Sequence, residues 1–378
     1  MMLSISMRTS TCLFICLALF AVGRPPEIPF TAKLIDTGAA EAPAVLDVNN
    51  DGRLDILAGE YWYEAPSWKQ HRFREVLYTN QYIDALTDLT LDVDRDGFTD
   101  IITAGWFSKK LAWWKNPGKT KTNWVEQPIE SGFNIEFAFL VDLDNDGKKE
   151  EVLPQFGNKE AALAWYERKD GKWIKHVVSP QSWGHGIGAG DVNGDGRNDI
   201  LTPKGWFEAP ADPRKGDWKQ HSDWNENSLG FLHVLDINGD GKNDILTSNA
   251  HDYGIFWLER TASGWEKRMI DDSWSQPHAV VMTDLNGDGR PDFLTGKRYM
   301  AHNGRDPGER EPLGVYWYEY VKDGAGKIEW VKHVIDYGGR MGGGIQIPVA
   351  DIDGDGDLDF VAGGKSGLFL VENRMKGK

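Results

Sequence analysis

The feature that most restricts this chain is one acidic, glycine-broken loop written seven times. The copies are DVNNDGRLD from Asp47, DVDRDGFTD from Asp92, DLDNDGKKE from Asp142, DVNGDGRND from Asp191, DINGDGKND from Asp236, DLNGDGRPD from Asp284 and DIDGDGDLD from Asp351. Successive copies lie 45, 50, 49, 45, 48 and 67 residues apart, so the sixth unit carries an insertion. A period of this size predicts a stack or ring of small identical units, none of which buries its apolar face alone.

Each unit repeats the same four runs. An apolar run leads into the loop (PAVL, AFLV, HAVV), and a β-branched run follows it (DILAG, DIITA). An aromatic run comes next (YWYEA, LAWWK, LAWYE, GWFEA, IFWLE, VYWYE, LFLVE), then an alternating run such as WIKHVV or WVKHVI. Short β-branched and aromatic runs bounded by Gly, Pro, Asn and Asp read as strands, and no segment shows a sustained helical period. Four strands in each of seven units predict 28 strands. The ends are out of phase with the loops: FTAKLIDTG, residues 30–38, matches a fourth run yet precedes the first loop, and the chain closes on a third run, GLFLVEN. One unit is thus split between the termini. An N-terminal strand that completes the last sheet closes a ring and removes exposed sheet edges. The expected fold is all-β, a seven-bladed β-propeller of four-stranded blades.

Residues 1–23 read as a signal peptide, with Arg8 as their only charge and CLFICLALFAVG as an apolar core too short to span a bilayer. The remainder, 24–378, reads as one propeller domain of a secreted or periplasmic protein. Both cysteines, Cys12 and Cys16, lie in the leader, so the mature chain has no thiol chemistry. Removing Arg8 takes the formal charge from −16 to −17. Such acidity excludes nucleic acid as a partner and suits a cation binder. No later segment is apolar enough for membrane insertion.

In D-x-[DN]-x-D-G-x-x-[DE], side-chain oxygens at positions 1, 3, 5 and 9 can converge on one hard cation, and the glycine at position 6 permits the sharp turn. The expected ligands are Asp47, Asn49, Asp51 and Asp55; Asp92, Asp94, Asp96 and Asp100; Asp142, Asp144, Asp146 and Glu150; Asp191, Asn193, Asp195 and Asp199; Asp236, Asn238, Asp240 and Asp244; Asp284, Asn286, Asp288 and Asp292; and Asp351, Asp353, Asp355 and Asp359. These positions hold 24 carboxylates, a density that is costly without counterions. Up to seven structural Ca2+ ions are therefore expected. An EF-hand is excluded, because position 12 is Ala58, Thr202 or Thr247 rather than glutamate and the flanks are strands. The loops, their period and the split unit resemble the FG-GAP (VCBS) repeats of integrin α-chain propellers and of many secreted bacterial proteins. That resemblance implies the propeller over the whole mature chain. It leaves function open, since such propellers serve adhesion, sugar binding and catalysis.

Chemistry is expected on the rim away from the loops. Six residues before each loop stand Glu41, Leu86, Glu136, His185, Gly230, His278 and Ile345; five after each stand Glu60, Gly105, Gln155, Lys204, Asn249, Lys297 and Gly364. Both sets fall on the far ends of the first two strands. His233 and His251 lie nearby in the fifth unit. The insertion, TGKRYMAHNGRDPGEREPLGVYWYEY, opens with Lys297, Arg298, Tyr299 and His302 and should lie over the same rim. Histidine or tyrosine can take a proton from carbon beside a carbonyl when a cation stabilises the resulting enolate. Lys297, Arg298 or a divalent metal held by His185, His278 and Glu136 would supply that cation. The expected catalytic set is therefore His185, His278, Lys297, Arg298, Tyr299, His302 and Glu136, with Lys204, His251, Asn249, Glu60 and Gln155 on a carbohydrate ligand. The segments GHG, PHA and TGKRYMAH resemble the propeller of aldos-2-ulose dehydratases, which implies removal of water from a keto-sugar; the cupin domains of those enzymes are absent here. The competing reading is a non-catalytic propeller that binds glycans or a protein partner. Against both, a lone histidine at a strand start often satisfies only a backbone group, and Lys204 or Lys297 can be a solvated charge.

Overall fold

The computed structural model describes residues 27–119 and 123–376, and the expected signal peptide lies outside them. Seven four-stranded antiparallel sheets follow one another around a ring. The first blade is built from Ala44–Leu46, Asp55–Ala58, Tyr61–Glu64 and Lys69–Arg72, and the third from Ile135–Val141, Glu151–Phe156, Leu163–Lys169 and Lys172–Ser179. Gly188–Gly190, Asp199–Thr202, Gly205–Glu208 and Lys219–His221 make the fourth. In the fifth and sixth blades the first two strands are His233–Leu235 with Asp244–Ser248, and Val280–Met282 with Phe293–Gly296. The described residues include no helix.

First strands line the ring axis and touch those of neighbouring blades. Second strands such as Asp55–Ala58 and Asp199–Thr202 are buried at every position, because blades pack on both of their faces. Closure is as the split unit requires: Phe30–Asp36 pairs with Gly367–Asn373, from Phe30 opposite Asn373 to Asp36 opposite Leu368. A short hairpin of Tyr78–Thr79 and Tyr82–Ile83, between the first and second blades, is an addition that the repeat pattern does not foretell.

Four blades share a packing unit. The third-strand tryptophan stacks on a fourth-strand histidine at 4.4 Å (Trp62–His71), 4.1 Å (Trp165–His176), 4.1 Å (Trp206–His221) and 4.2 Å (Trp317–His333). Each imidazole then donates to a glutamate two residues after its tryptophan: Glu64, Glu167, Glu208 or Glu319. Four of the nine histidines are therefore structural, holding the outer strand to the sheet.

Candidate functional site

The acidic loops close on themselves in a repeated way. In the fourth, Asp191 accepts the amides of Gly194, Asp195 and Gly196, and Asn193 accepts that of Asp195. Carboxylate oxygens of Asp92, Asp94 and Asp96, of Asp142, Asp144 and Asp146, and of Asp284, Asp288 and Asp292 lie within 4.8 Å of one another. The ninth position has a further role. Asp55 accepts the Val48 amide at 3.1 Å and the Ala65 amide at 2.8 Å, so one buried carboxylate ties the loop to the third strand. Asp100, Asp199, Asp244 and Asp359 repeat the clamp. In the third loop the clamp is Glu151, which accepts the Leu143 amide at 2.9 Å, and not Glu150. Glutamate is one methylene longer than aspartate, and here the seat lies one residue later; Glu150 faces Arg95 at the surface.

At the other end of the first strands a second group assembles. The run GHGIGAG lets the fourth blade approach the fifth, with Ile187 and Phe231 forming a parallel bridge. A Cβ on Gly188 would stand 2.1 Å from the Leu232 carbonyl oxygen, so no other residue fits there. This approach sets His185 against the fifth blade, where its Nδ1 lies 2.7 Å from the Leu229 carbonyl. A carbonyl only accepts, so Nδ1 carries a proton.

His185 Nε2 then faces Glu136 Oε2 at 3.0 Å and His251 Nε2 at 3.1 Å. His278 Nε2 lies 3.3 Å from Glu136 Oε1, and neither of its nitrogens makes a hydrogen bond. One ligand atom from each of Glu136, His185, His251 and His278 falls within 4.8 Å of the others. The rings meet edge to face, 4.6 Å apart for His185–His251 and 5.1 Å for His185–His278. Phe137 and Phe231 wall the group from the channel side.

Arg298 anchors the carboxylates. Its Nη1 donates to Glu136 Oε1 at 2.7 Å and its Nη2 to Glu41 Oε2 at 3.0 Å, all three residues being buried. Burial raises the Glu136 carboxyl, but His185 and Arg298 outweigh it and hold the group well below the ordinary range. Burial, helped by the Arg298 charge, drives His278 well below the ordinary imidazole range, so it is neutral. Burial also lowers His251, against the nearby Asp306 carboxylate, which lies 3.2 Å from its Nδ1 without a hydrogen bond. His278 is closed to solvent, whereas His185 and His251 keep 15% and 11% side-chain exposure and His302 keeps 47%. The group therefore opens on one side, toward His302.

Of the residues singled out in the sequence, Glu136, His185, His278, Arg298 and His302 come together. His251, expected on a ligand, is a member of the central group instead. Lys297 is not: its ammonium donates to Ser275 at 2.6 Å and lies 3.8 Å from Glu311, pointing away from Arg298. Burial lowers its pKa, in opposition to Glu311 and Glu309. Tyr299 is half-buried, and no hydrogen bond ties it to the cluster. Lys204 is held by Asn225, the Glu226 carbonyl and Asn227. Asn249 donates to the Tyr253 carbonyl within its own hairpin, and Glu60 receives Arg72 and the Val76 amide. Gln155 donates to the Gly184 carbonyl, which makes it a prop beneath His185. His233 binds the Val280 carbonyl and stays on the channel wall. Asp306, absent from the expected set, contacts both His251 and His302.

An FG-GAP-like repeat family model matches residues 92–153 and 236–295. With seven four-stranded blades in a ring, the chain is a seven-bladed β-propeller that carries FG-GAP-like repeats. Similar solved structures include an Agrocybe aegerita lectin described as recognising non-reducing terminal N-acetylglucosamine, at 14% identity and TM-score 0.48 over 78% of this chain and 80% of the lectin. The V. cholerae biofilm matrix protein Bap1 gives 12% identity and TM-score 0.46 over 91% of each chain. The rhamnogalacturonan lyase YesW gives 13% and 0.48 over 91% of this chain and 72% of the lyase. At these identities neither ligand nor activity transfers. No curated protein matches the sequence.

Proposed function

We propose that this protein is an exported, calcium-braced propeller that performs carbon–oxygen elimination on a keto- or uronic sugar at a divalent-metal centre of Glu136, His185, His251 and His278. The observation that carries the metal is a conflict of lone pairs. With the His185 proton on Nδ1, its Nε2 in the neutral ring is an acceptor, yet it faces a carboxylate at 3.0 Å and a second imidazole nitrogen at 3.1 Å. Acceptors so arranged repel unless a cation, or an extra proton, lies among them. Three imidazoles, which must be neutral to ligate, and one carboxylate suit a first-row divalent ion such as Zn2+ or Mn2+. When bound, such an ion polarises a ligand carbonyl.

The chain's own residues supply the rest. Arg298 holds Glu136 ionised and oriented. His302, half open to solvent with Nδ1 2.7 Å from Asp306, keeps Nε2 free to take a proton from carbon beside that carbonyl. One C–H and one C–O bond break, a C=C bond forms, and the departing oxygen leaves as water or an alcohol. The converging carboxylates of the acidic loops would each hold Ca2+ as a brace rather than a catalyst.

The test is elemental analysis of the purified full chain, followed by ultraviolet detection of unsaturated product from a panel of keto- and uronic sugars. About one transition metal per chain, lost in His278→Ala, together with product formation abolished in His302→Ala, is the expected result. Metal without turnover, combined with capture of glycans on an array, would favour a non-catalytic binding propeller. A chain that takes up no transition metal would sink the proposed centre.

A further inference from the structure

We propose that Asp306 is the positioning residue of this centre, and that the sixth-blade insertion serves to deliver it to the back of His251; the inference rests on the metal reading above. His251 presents its two nitrogens to different neighbours: Nε2 lies 3.1 Å from His185 Nε2, and Nδ1 lies 3.2 Å from Asp306 Oδ2. Asp306 Oδ2 is hydrogen-bonded to His302 Nδ1 and makes no hydrogen bond to His251, yet its negative charge so close to His251 Nδ1 favours the proton on that nitrogen and leaves the Nε2 lone pair facing inward. His185 reaches the same tautomer through the Leu229 carbonyl. Each imidazole is thus backed by the following blade, His185 by a backbone carbonyl and His251 by a side chain of the sixth-blade insertion.

The insertion is pinned on several sides. The Glu309 carboxylate accepts the His302 amide, Lys365 donates to the Met300 carbonyl at 2.6 Å, and Gln276 donates to the Pro307 carbonyl at 3.4 Å. Gly308 has a positive φ of 66°, and a Cβ there would lie 2.3 Å from Ser275 Oγ. Such anchoring beside Asp306 fits a group that must hold its place, because an outer carboxylate acts through the angle at which it holds the ring.

The experiment titrates metal-free full-length protein with Co2+, whose visible bands report the ligand set, and with Zn2+ in competition. Asp306→Ala should bind Co2+ about 10- to 100-fold more weakly with altered bands, and Asp306→Glu should restore most of both. The melting temperature of each metal-free variant separates this from general loosening, which would lower stability without that selective loss. Histidine 15N spectra of metal-free wild-type protein give a test independent of any substitution at Asp306: His251, identified by the signals missing in His251→Gln, should carry its proton on Nδ1. Wild-type affinity and bands in Asp306→Ala, a proton on His251 Nε2, or two metals per chain would each overturn the role of Asp306 and leave the centre standing. Failure of wild-type protein to bind either ion would sink both.

Discussion

Arg298→Met is the perturbation whose size follows most directly from the structure. The guanidinium is buried and bridges two buried carboxylates, Glu136 and Glu41, at 2.7 and 3.0 Å. Methionine fills similar volume and removes the only strong donors these two oxygens have in that contact. Breaking a buried ion pair from one side costs about 3–5 kcal/mol, since the remaining charge is left uncompensated. An independent bound agrees. A carboxylate that takes up a proton instead of staying ionised at pH 7 costs roughly 3 kcal/mol, about 2.5 units above its usual pKa at 1.36 kcal/mol per unit. For about 350 folded residues the unfolding entropy is roughly 0.7 kcal/mol/K, so the melting temperature should fall by about 4–7 °C. The assay is thermal unfolding of both proteins in chelator at pH 7, repeated at pH 5. The variant's carboxyls have raised folded-state pKa values, so its deficit is largest above them and must shrink as the pH falls. Saturating Zn2+ should stabilise the variant more than the wild type, since the ion then supplies the missing positive charge. A fall of less than about 1 °C at pH 7, or a deficit that grows at pH 5, would refute the account of Arg298 as the counterion that keeps Glu136 charged.

Other expectations follow from the same chemistry. Burial raises the ninth-position carboxyls to about 6 at Asp55, Asp199 and Asp359 and about 7 at Asp100 and Asp292. Folded values above the ordinary 3.8 mean that their stabilising share is complete at low pH and is lost as the pH rises through 6 to 7. Chelated protein should therefore melt lower at pH 8 than at pH 5, with added Ca2+ restoring more at pH 8; a flat profile without Ca2+ would count against these assignments. Gly308→Ala should lower Co2+ affinity severalfold by displacing the segment that carries Asp306, while leaving Ca2+-dependent stabilisation unchanged, as parallel titrations would reveal. Deleting residues 27–36 should strip the closing strand from Gly367–Asn373 and yield dimers or aggregates through the bared edge, measured by light scattering. A monomer of unchanged stability would contradict ring closure by that strand.

The sequence alone determined the repeat, the blade count, the split last blade and the facing of loops and histidines toward opposite ends of the first strands. These are matters of period and register, and period is written residue by residue. Register also marked Glu136, His185 and His278, which occupy one position in three units. It failed at Lys297 and Arg298, adjacent residues given one role, because successive side chains of extended chain point to opposite sides: Arg298 reaches the carboxylates and Lys297 turns to Ser275. Nor does register show the amide clamp, which in the third loop is made by Glu151 one residue past the ninth position, because the longer glutamate reaches the seat from there. Only the tertiary structure brought His251 and Asp306 to the centre, since the turn after a second strand and a unique insertion stand outside the repeat and meet through the packing of neighbouring blades. Which nitrogen of each ring faces inward was likewise decided there. That choice depends on what lies behind the ring, the Leu229 carbonyl for His185 and the Asp306 carboxylate for His251, and a linear pattern carries no record of either contact.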